Sequence, residues 1–211
     1  MARVRVRQHV NPLSHKYRQS IILPDWEKVY RKVTQPLHLD IGCARGKFLL
    51  NMAPLHSEIN FLGIEIREPL VIEANQNRDS LGLNNLHFVF CNINLFLVTL
   101  LESLPPGVLE WVTIQFPDPW FKNRHLKRRV VQPELVDILA QYLAEGGKIF
   151  LQSDVEEVAK EMGDRFLSHP SFKKQHLDLW LAENPFPIAT EREIATLNKG
   201  QPVYRLLLKK T

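Results

Sequence analysis

Residues 115–129 read QFPDPWFKNRHLKRR and bring apolar, acidic, aromatic and cationic groups into one short segment. Asp118 stands between Pro117 and Pro119, so its backbone is restricted before any ligand arrives. Lys122, Arg124, Lys127, Arg128 and Arg129 follow, with no acid between Asp118 and Glu134. A carboxylate held this rigidly suits the orientation of a ligand and the offsetting of positive charge, whereas clustered cations suit a polyanion. A charged surface loop with a strand-capping Asp would need neither the two prolines nor Trp120.

Groups of the same kind recur elsewhere. Residues 37–41 (LHLDI) run into GCARG at 42–46, which puts Asp40 at a strand end beside small residues that let a ligand approach the backbone. A dinucleotide fingerprint wants glycines at 42, 44 and 47, and the chain has Ala44 and Lys47, so that pattern fails. Glu65 closes the next apolar run 23 residues beyond Gly42, a place from which a carboxylate holds ribose hydroxyls. Asn92 follows LHFVFC at 86–91, where an adenine's amino group or ring nitrogen would be read. Asp154 follows KIFLQS at 148–153.

These side chains need elements to position them. The run at 109–116 is apolar and β-branched enough for a buried strand, which the prolines end. The pattern predicts further strands at 37–41, 60–64, 86–91 and 148–152, and helices over 47–52, 68–82, 95–104, 132–143 and 155–167. Strands alternating with helices make a mostly parallel, doubly wound sheet. Its carboxyl edge would bring Asp40, Glu65, Asp118 and Asp154 onto one rim. A short helix is expected at 25–30, a sixth strand at 175–181, a polar, proline-bearing loop at 184–193, and a terminal strand at 202–208 antiparallel to the sixth.

With 211 residues and 45% hydrophobic content the chain can bury one sizeable core. The expectation is a single domain over 25–211 preceded by a basic arm at 1–24 that is poorly ordered without a partner. The arm carries Arg3, Arg5, Arg7, Lys16 and Arg18 and no acid, and 119–133 hold another +5, leaving −6 for the remainder of a chain of net charge +4. Basic charge confined to two segments of an acidic body points to a polyanion surface, with nucleic acid the first candidate. No run nears the ~20 apolar residues of a membrane span, and the start lacks the apolar core of a signal peptide. A cytoplasmic protein without a membrane partner, monomeric or homodimeric, is therefore expected. Cys43 and Cys91 are expected to be reduced, and no metal site is expected.

Four stretches, DIGCARG at 40–46, FLGIEI at 61–66, FPDPWFKNRHLKRR at 116–129, and TERE at 190–193 with GQPVYR at 200–205, make the chain similar to the bacterial tRNA (guanine-N(7)-)-methyltransferases, the TrmB family. The PDPW and RHxKRR combination is the most specific part. The resemblance implies a class I methyltransferase fold, Rossmann-like α/β, whose seven-stranded sheet is mostly parallel with the last strand antiparallel. It implies S-adenosylmethionine as cofactor, held by Asp40, Gly42, Glu65, Asn92 and Asp118. It implies tRNA as partner, met by Lys122, Asp154, Thr190, Glu191, Arg192 and Glu193. Arg124, Lys127, Arg128 and Arg129 are read as meeting its phosphates, the alternative being that some of them pair with nearby acids. Asp118 is then the catalytic residue and a guanine of the tRNA variable loop the target.

Ring nitrogen 7 of guanine carries a free lone pair at neutral pH, so the implied reaction needs no general base and depends on positioning. Trp120 or Phe121 would support a base taken out of its stack. The chain departs from the family at Asp40, where Glu is usual, at Ala44 in place of a glycine, and at Asn92, where some members have Asp. One alternative is an amino-group methyltransferase, because PDPW is similar to the Asn-Pro-Pro-aromatic turn that grips an exocyclic amine. Another is a non-catalytic RNA-binding module of the same fold. A nicotinamide dehydrogenase is disfavoured by the failed glycine pattern.

Overall fold

The computed structural model describes residues 10–211. Arg3, Arg5 and Arg7 of the basic arm lie outside the described residues. Seven strands form one sheet: β1 (Leu37–Ile41), β2 (Asn60–Glu65), β3 (Leu86–Phe90), β4 (Leu109–Gln115), β5 (Lys148–Ser153), β6 (Phe172–Lys174) and β7 (Tyr204–Lys210). Their spatial order is β3-β2-β1-β4-β5-β7-β6. All pairs from β3 to β5 are parallel, and β7 runs antiparallel to both β5 and β6, so the mostly parallel sheet with an antiparallel last strand is present. The order reverses between β1 and β4, which makes the carboxyl ends of those two strands the switch point where such sheets bind ligands.

The helices are α1 (Trp26–Val29), α2 (Lys47–Met52), α3 (Glu68–Ser80), α4 (Ile93–Glu102), α5 (Pro133–Tyr142), α6 (Glu156–Leu167) and α7 (Glu191–Leu197). Alternation along the strands sorts side chains to two faces. Leu39, Val112, Ile149 and Leu208 turn to one face, packing with Leu97 of α4, Leu139 of α5 and Phe166 of α6. On the other face Phe61 and Phe88 meet Leu49 of α2 and Ala74 of α3. That second face also presents a polar row near the strand ends, beginning with Asp40.

Three expectations change. The sixth strand is β6 at 172–174, not 175–181. Past Lys174 the chain meets β7 through scattered contacts in place of a ladder: the Gln175 and Leu181 amides donate to the Leu207 and Arg205 carbonyls, the Leu207 amide donates to His176 Nε2 and Arg205 Nη1 to the Ala182 carbonyl, and the Trp180 ring meets that of Tyr204 at 5.2 Å. The loop expected to run to 193 ends in α7, because TERE is also a helix start: the Glu193 amide donates to Thr190 Oγ1 at 3.1 Å. Residues 10–18 of the arm, expected to be loose, lie against the domain. Tyr17 meets the Phe90 ring edge-on at 6.4 Å, and the Pro12 carbonyl accepts from Asn92 Nδ2 at 2.9 Å.

Close packing under the switch point depends on a residue without a side chain. A Cβ at Gly63 of β2 would lie 2.4 Å from Phe88 Cδ1 and 2.8 Å from Cys43 Sγ. Gly63→Ala should therefore lose about 1–3 kcal/mol of stability, measured by denaturant titration. A change within 0.3 kcal/mol would show that the ring has room to move.

Candidate active site

Two clefts open at the carboxyl edge and share a wall made by Gly42, Arg67, Gln115, Phe116, Pro117 and Asp118. The first holds Glu65 and Asn92 among the apolar side chains of Ile41, Ile64 and Ile93. The second holds Asp40, Asp154, Phe121 and the residues Thr190, Glu191 and Arg192. The four acids of the expected rim do lie along one edge, but they divide between two contiguous clefts, and only Asp118 borders both.

β1 ends in a turn through Gly42 and Ala44, both in the left-handed region with φ of 83° and 50°. No atom lies within 4 Å of where a Cβ on Gly42 would sit, so that side of the turn is open. Ala44 adopts a conformation that favours glycine, and its amide donates to Glu65 Oε2 at 3.0 Å. Arg67 occupies the rest of that carboxylate: its amide and Nε donate to Oε1, each at 3.0 Å, and Nη2 donates to Oε2 at 2.8 Å. A carboxylate offers about four lone-pair sites, so Glu65 is saturated. Cleft one fits a nucleoside chemically, with a carboxylate for a diol, isoleucine walls for a flat ring and the open Gly42 turn. Asn92 Nδ2 is engaged by Pro12.

Asp118 is fixed by more than its prolines. Phe116 and Trp120 on either side have φ of 50° and 43°, and the Phe116 amide donates to the Gln152 carbonyl at 2.8 Å. Arg129 follows the alternative in which some of the basic residues pair with acids and do not meet phosphates. It is 5% exposed, donates through Nε to the Pro119 carbonyl at 2.7 Å, and pairs with Glu157 and Glu161 of α6. It is a clamp on the turn that carries Asp118. Arg128 is half-buried with its guanidinium 4.9 Å from the Trp120 ring centre. Lys122, Arg124 and Lys127 are exposed. Trp120 lines the first cleft, whereas Phe121, 67% exposed, stands at the second.

The 190–193 turn is tied down residue by residue. Glu191 pairs with Lys47 at 2.5 Å and Arg192 with Asp154 at 2.5 Å. Glu193, expected to meet the tRNA, is 1% exposed. Its Oε1 accepts from Arg205 Nη2 at 2.7 Å, and its Oε2 from Asn184 Nδ2 at 2.7 Å and Gln152 Nε2 at 3.3 Å. It faces inward, a correction to that expectation. Phe186 anchors the preceding loop, with its ring 5.1–5.5 Å from those of His38, Phe48, Trp111 and Phe150. Neither Phe186 nor the partners of Glu193 were singled out in the sequence, although the T-x-x-E spacing was a capping signal.

Asp40 lies 4% exposed in the polar row. Thr113 Oγ1 donates to its Oδ1 at 2.6 Å, and Gln115 Nε2 does so at 3.4 Å. Burial, aided by the charge of Glu65, pushes its pKa up to about 6 despite those two bonds. Burial also lowers His38 to about 3, so its ring is neutral. Nε2–H then donates to Thr113 Oγ1 at 3.1 Å.

A family model described as "Putative methyltransferase" matches residues 34–206. The chain is 68% identical over 209 residues to a "tRNA (guanine-N(7)-)-methyltransferase" of Microcystis aeruginosa, covering 99% of each chain. It is 64% identical over 207 residues to a protein of the same description from Trichormus variabilis, covering 98% of this chain and 96% of that one. Among solved structures it is similar to a SAM-dependent methyltransferase from Aquifex aeolicus, at TM-score 0.55 and 13% identity, covering 89% of this chain and 90% of that one. At that identity the likeness is one of fold.

Because Asp40 has a folded pKa of about 6 against an ordinary 3.8, the native protein takes up its proton more readily than the unfolded chain. Stability from this group is therefore present at acid pH and is lost as pH rises from about 4 to about 6, by up to about 3 kcal/mol. Asp40→Asn should flatten that interval in a pH series of denaturant titrations. An identical slope in both proteins would contradict the assignment.

Proposed function

The chain belongs to the tRNA (guanine-N(7)-)-methyltransferase family, and we infer that its two clefts divide the methylation of guanine N7 in tRNA, the first taking the cofactor and the second the base. S-adenosylmethionine supplies, when bound, a methyl group activated on a sulfonium. The observation that carries the division is the shared wall, where Asp118 borders both clefts on a turn locked by Arg129.

In the first cleft Glu65, Gly42 and Asn92 are the residues to hold the nucleoside. Since Arg67 saturates Glu65, a ribose can be held there only when the Arg67 side chain lets go. Asp40 belongs to the second cleft's edge, where its negative charge favours a cationic donor next to the wall. Asn92 must exchange Pro12 for a ligand or read it through its backbone.

In the second cleft the protein's task is positioning, because N7 needs no base. Near-attack orientation is worth ~7–11 kcal/mol of barrier, which suits a carboxylate clamped between prolines. We assign Asp118 to accept hydrogen bonds from the guanine edge and to offset charge as the purine becomes cationic. Phe121, exposed at this cleft, is better placed than Trp120 to stack on an extruded base. Lys122, Arg124 and Lys127 face solvent on the segment that follows Phe121 and take the phosphates of the tRNA, whose variable loop we propose as the target. Arg192 and Asp154 brace each other, and Glu193 supports the turn from inside. We place the reaction with its substrate in the cytoplasm.

Incubation with labelled S-adenosylmethionine and unmodified tRNA, followed by nucleoside digestion, should yield label in 7-methylguanosine alone. Label in an amino-methylated adenine or cytosine would support the amino-group alternative instead. Asp118→Ala should lower kcat by about 100-fold or more while the tRNA Kd moves less than about 3-fold. Equal losses in both would make Asp118 a binding residue.

Alanine at Lys122, Arg124 and Lys127 together should reduce the slope of log K against log salt for tRNA binding by about two to three. An unchanged slope would show that these three cations do not meet phosphates.

A further inference from the structure

The polar row that starts at Asp40 continues across the sheet. β4 places Gln115 opposite Gln152 of β5, and β5 places Gln152 opposite Arg205 of β7. Gln115 Nε2 donates to Asp40 Oδ1. Its Oε1 accepts from Gln152 Nε2 at 2.7 Å, and the same Nε2 donates to Glu193 Oε2 at 3.3 Å. Glu193 is held on its other oxygen by Arg205. An unbroken chain of side-chain hydrogen bonds thus joins Asp40, on one side of the two-cleft edge, to the first turn of α7, which carries Thr190, Glu191 and Arg192 into the second cleft.

The directions of these bonds are not interchangeable. Carboxylates stand at both ends and only accept, so each glutamine has one workable orientation. If Gln115 turned its oxygen to Asp40, it would present NH2 to the NH2 of Gln152. If Gln152 followed, its oxygen would face the Glu193 carboxylate. Gln152 is 0% exposed, and its Oε1 has no hydrogen-bond partner. A leucine would fill that space and remove the unpaired Oε1, but it would leave Gln115 Oε1 without its donor, so the amide is not explained by packing. It is explained by the two acceptors that it bridges.

We propose that Gln152 is a positioning residue that couples the two clefts: filling the cofactor cleft fixes Gln115, which lines both clefts, and through Gln152 and Glu193 this sets the 190–193 turn for tRNA. Hydrogen bonds in a chain polarise one another in a dry interior, so a Gln115 held at the shared wall by a bound nucleoside holds each link toward α7. The coupling must be reciprocal, so tRNA tightens cofactor binding by the same factor. Gln152 itself touches neither ligand.

The inference rests on the division of the clefts given above, and the test separates the two. The tRNA Kd is measured with and without saturating S-adenosylhomocysteine for the full chain and for Gln152→Leu. The wild type should bind tRNA about 5-fold or more tightly with S-adenosylhomocysteine present, and the variant should show a ratio near one. The variant's Kd for S-adenosylhomocysteine alone should stay within about 2-fold of the wild type. Gln152→Met, which keeps an unbranched side chain, replaces the leucine variant if the latter melts more than a few degrees lower. A wild-type ratio of one, or a variant that keeps the wild-type ratio, overturns the inference. Failure of the wild type to bind S-adenosylhomocysteine at all overturns the function reading itself.

Discussion

Keeping four carboxylates at the edge of an otherwise apolar sheet is the constraint around which this structure is built. An ionised carboxylate withdrawn from water is costly unless it is paired or bonded, and the chain meets that requirement differently at each position. Glu65 is saturated by Arg67 and the Ala44 amide. Asp154 is paired with Arg192. Asp40 keeps two uncharged donors and has its proton affinity raised. Asp118 has the Arg67 charge near it. The order reversal between β1 and β4 brings these solutions within reach of one another, because it leaves a crevice at the two strand ends that carry Gly42 and Asp118.

Backbone strain gathers at the same place. Ala44, Phe116 and Trp120 are the non-glycine residues with positive φ among the described residues, and all three flank the clefts. Such conformations cost about 1–3 kcal/mol each and persist where surrounding contacts over-determine them. Those contacts are identifiable: the Ala44 amide on Glu65, the Phe116 amide on Gln152, and the Arg128 guanidinium on the Trp120 ring. The PDPW turn is therefore rigid for reasons that reach as far as α6, through Arg129 and its glutamates.

What the sequence made legible was local. Strand, glycine turn and helix at 37–52, the acid that closes β2, and the proline-flanked Asp118 are all read from neighbours a few residues apart, and each stands where expected. What it hid was long-range. Five cations in a row look alike, and only the fold shows that Arg129 turns inward to acids about 30 positions away while Lys122, Arg124 and Lys127 face solvent. Glu193 lies in a segment whose composition is polar, yet it is buried by Arg205, Asn184 and Gln152. A strand was expected at 175–181, but regular pairing with β7 ends at Lys174, the last residue of β6.

The central claim is that the first cleft takes the cofactor and that Glu65 exchanges Arg67 for a ribose when it does so. A crystal structure of the protein with S-adenosylhomocysteine tests this most directly. The account predicts the ribose hydroxyls on the Glu65 carboxylate, the Arg67 guanidinium turned away from it, and the sulfur at the wall formed by Gly42 and Asp118. A nucleoside bound outside the first cleft, or an intact Glu65–Arg67 pair with the ligand in place, would contradict it.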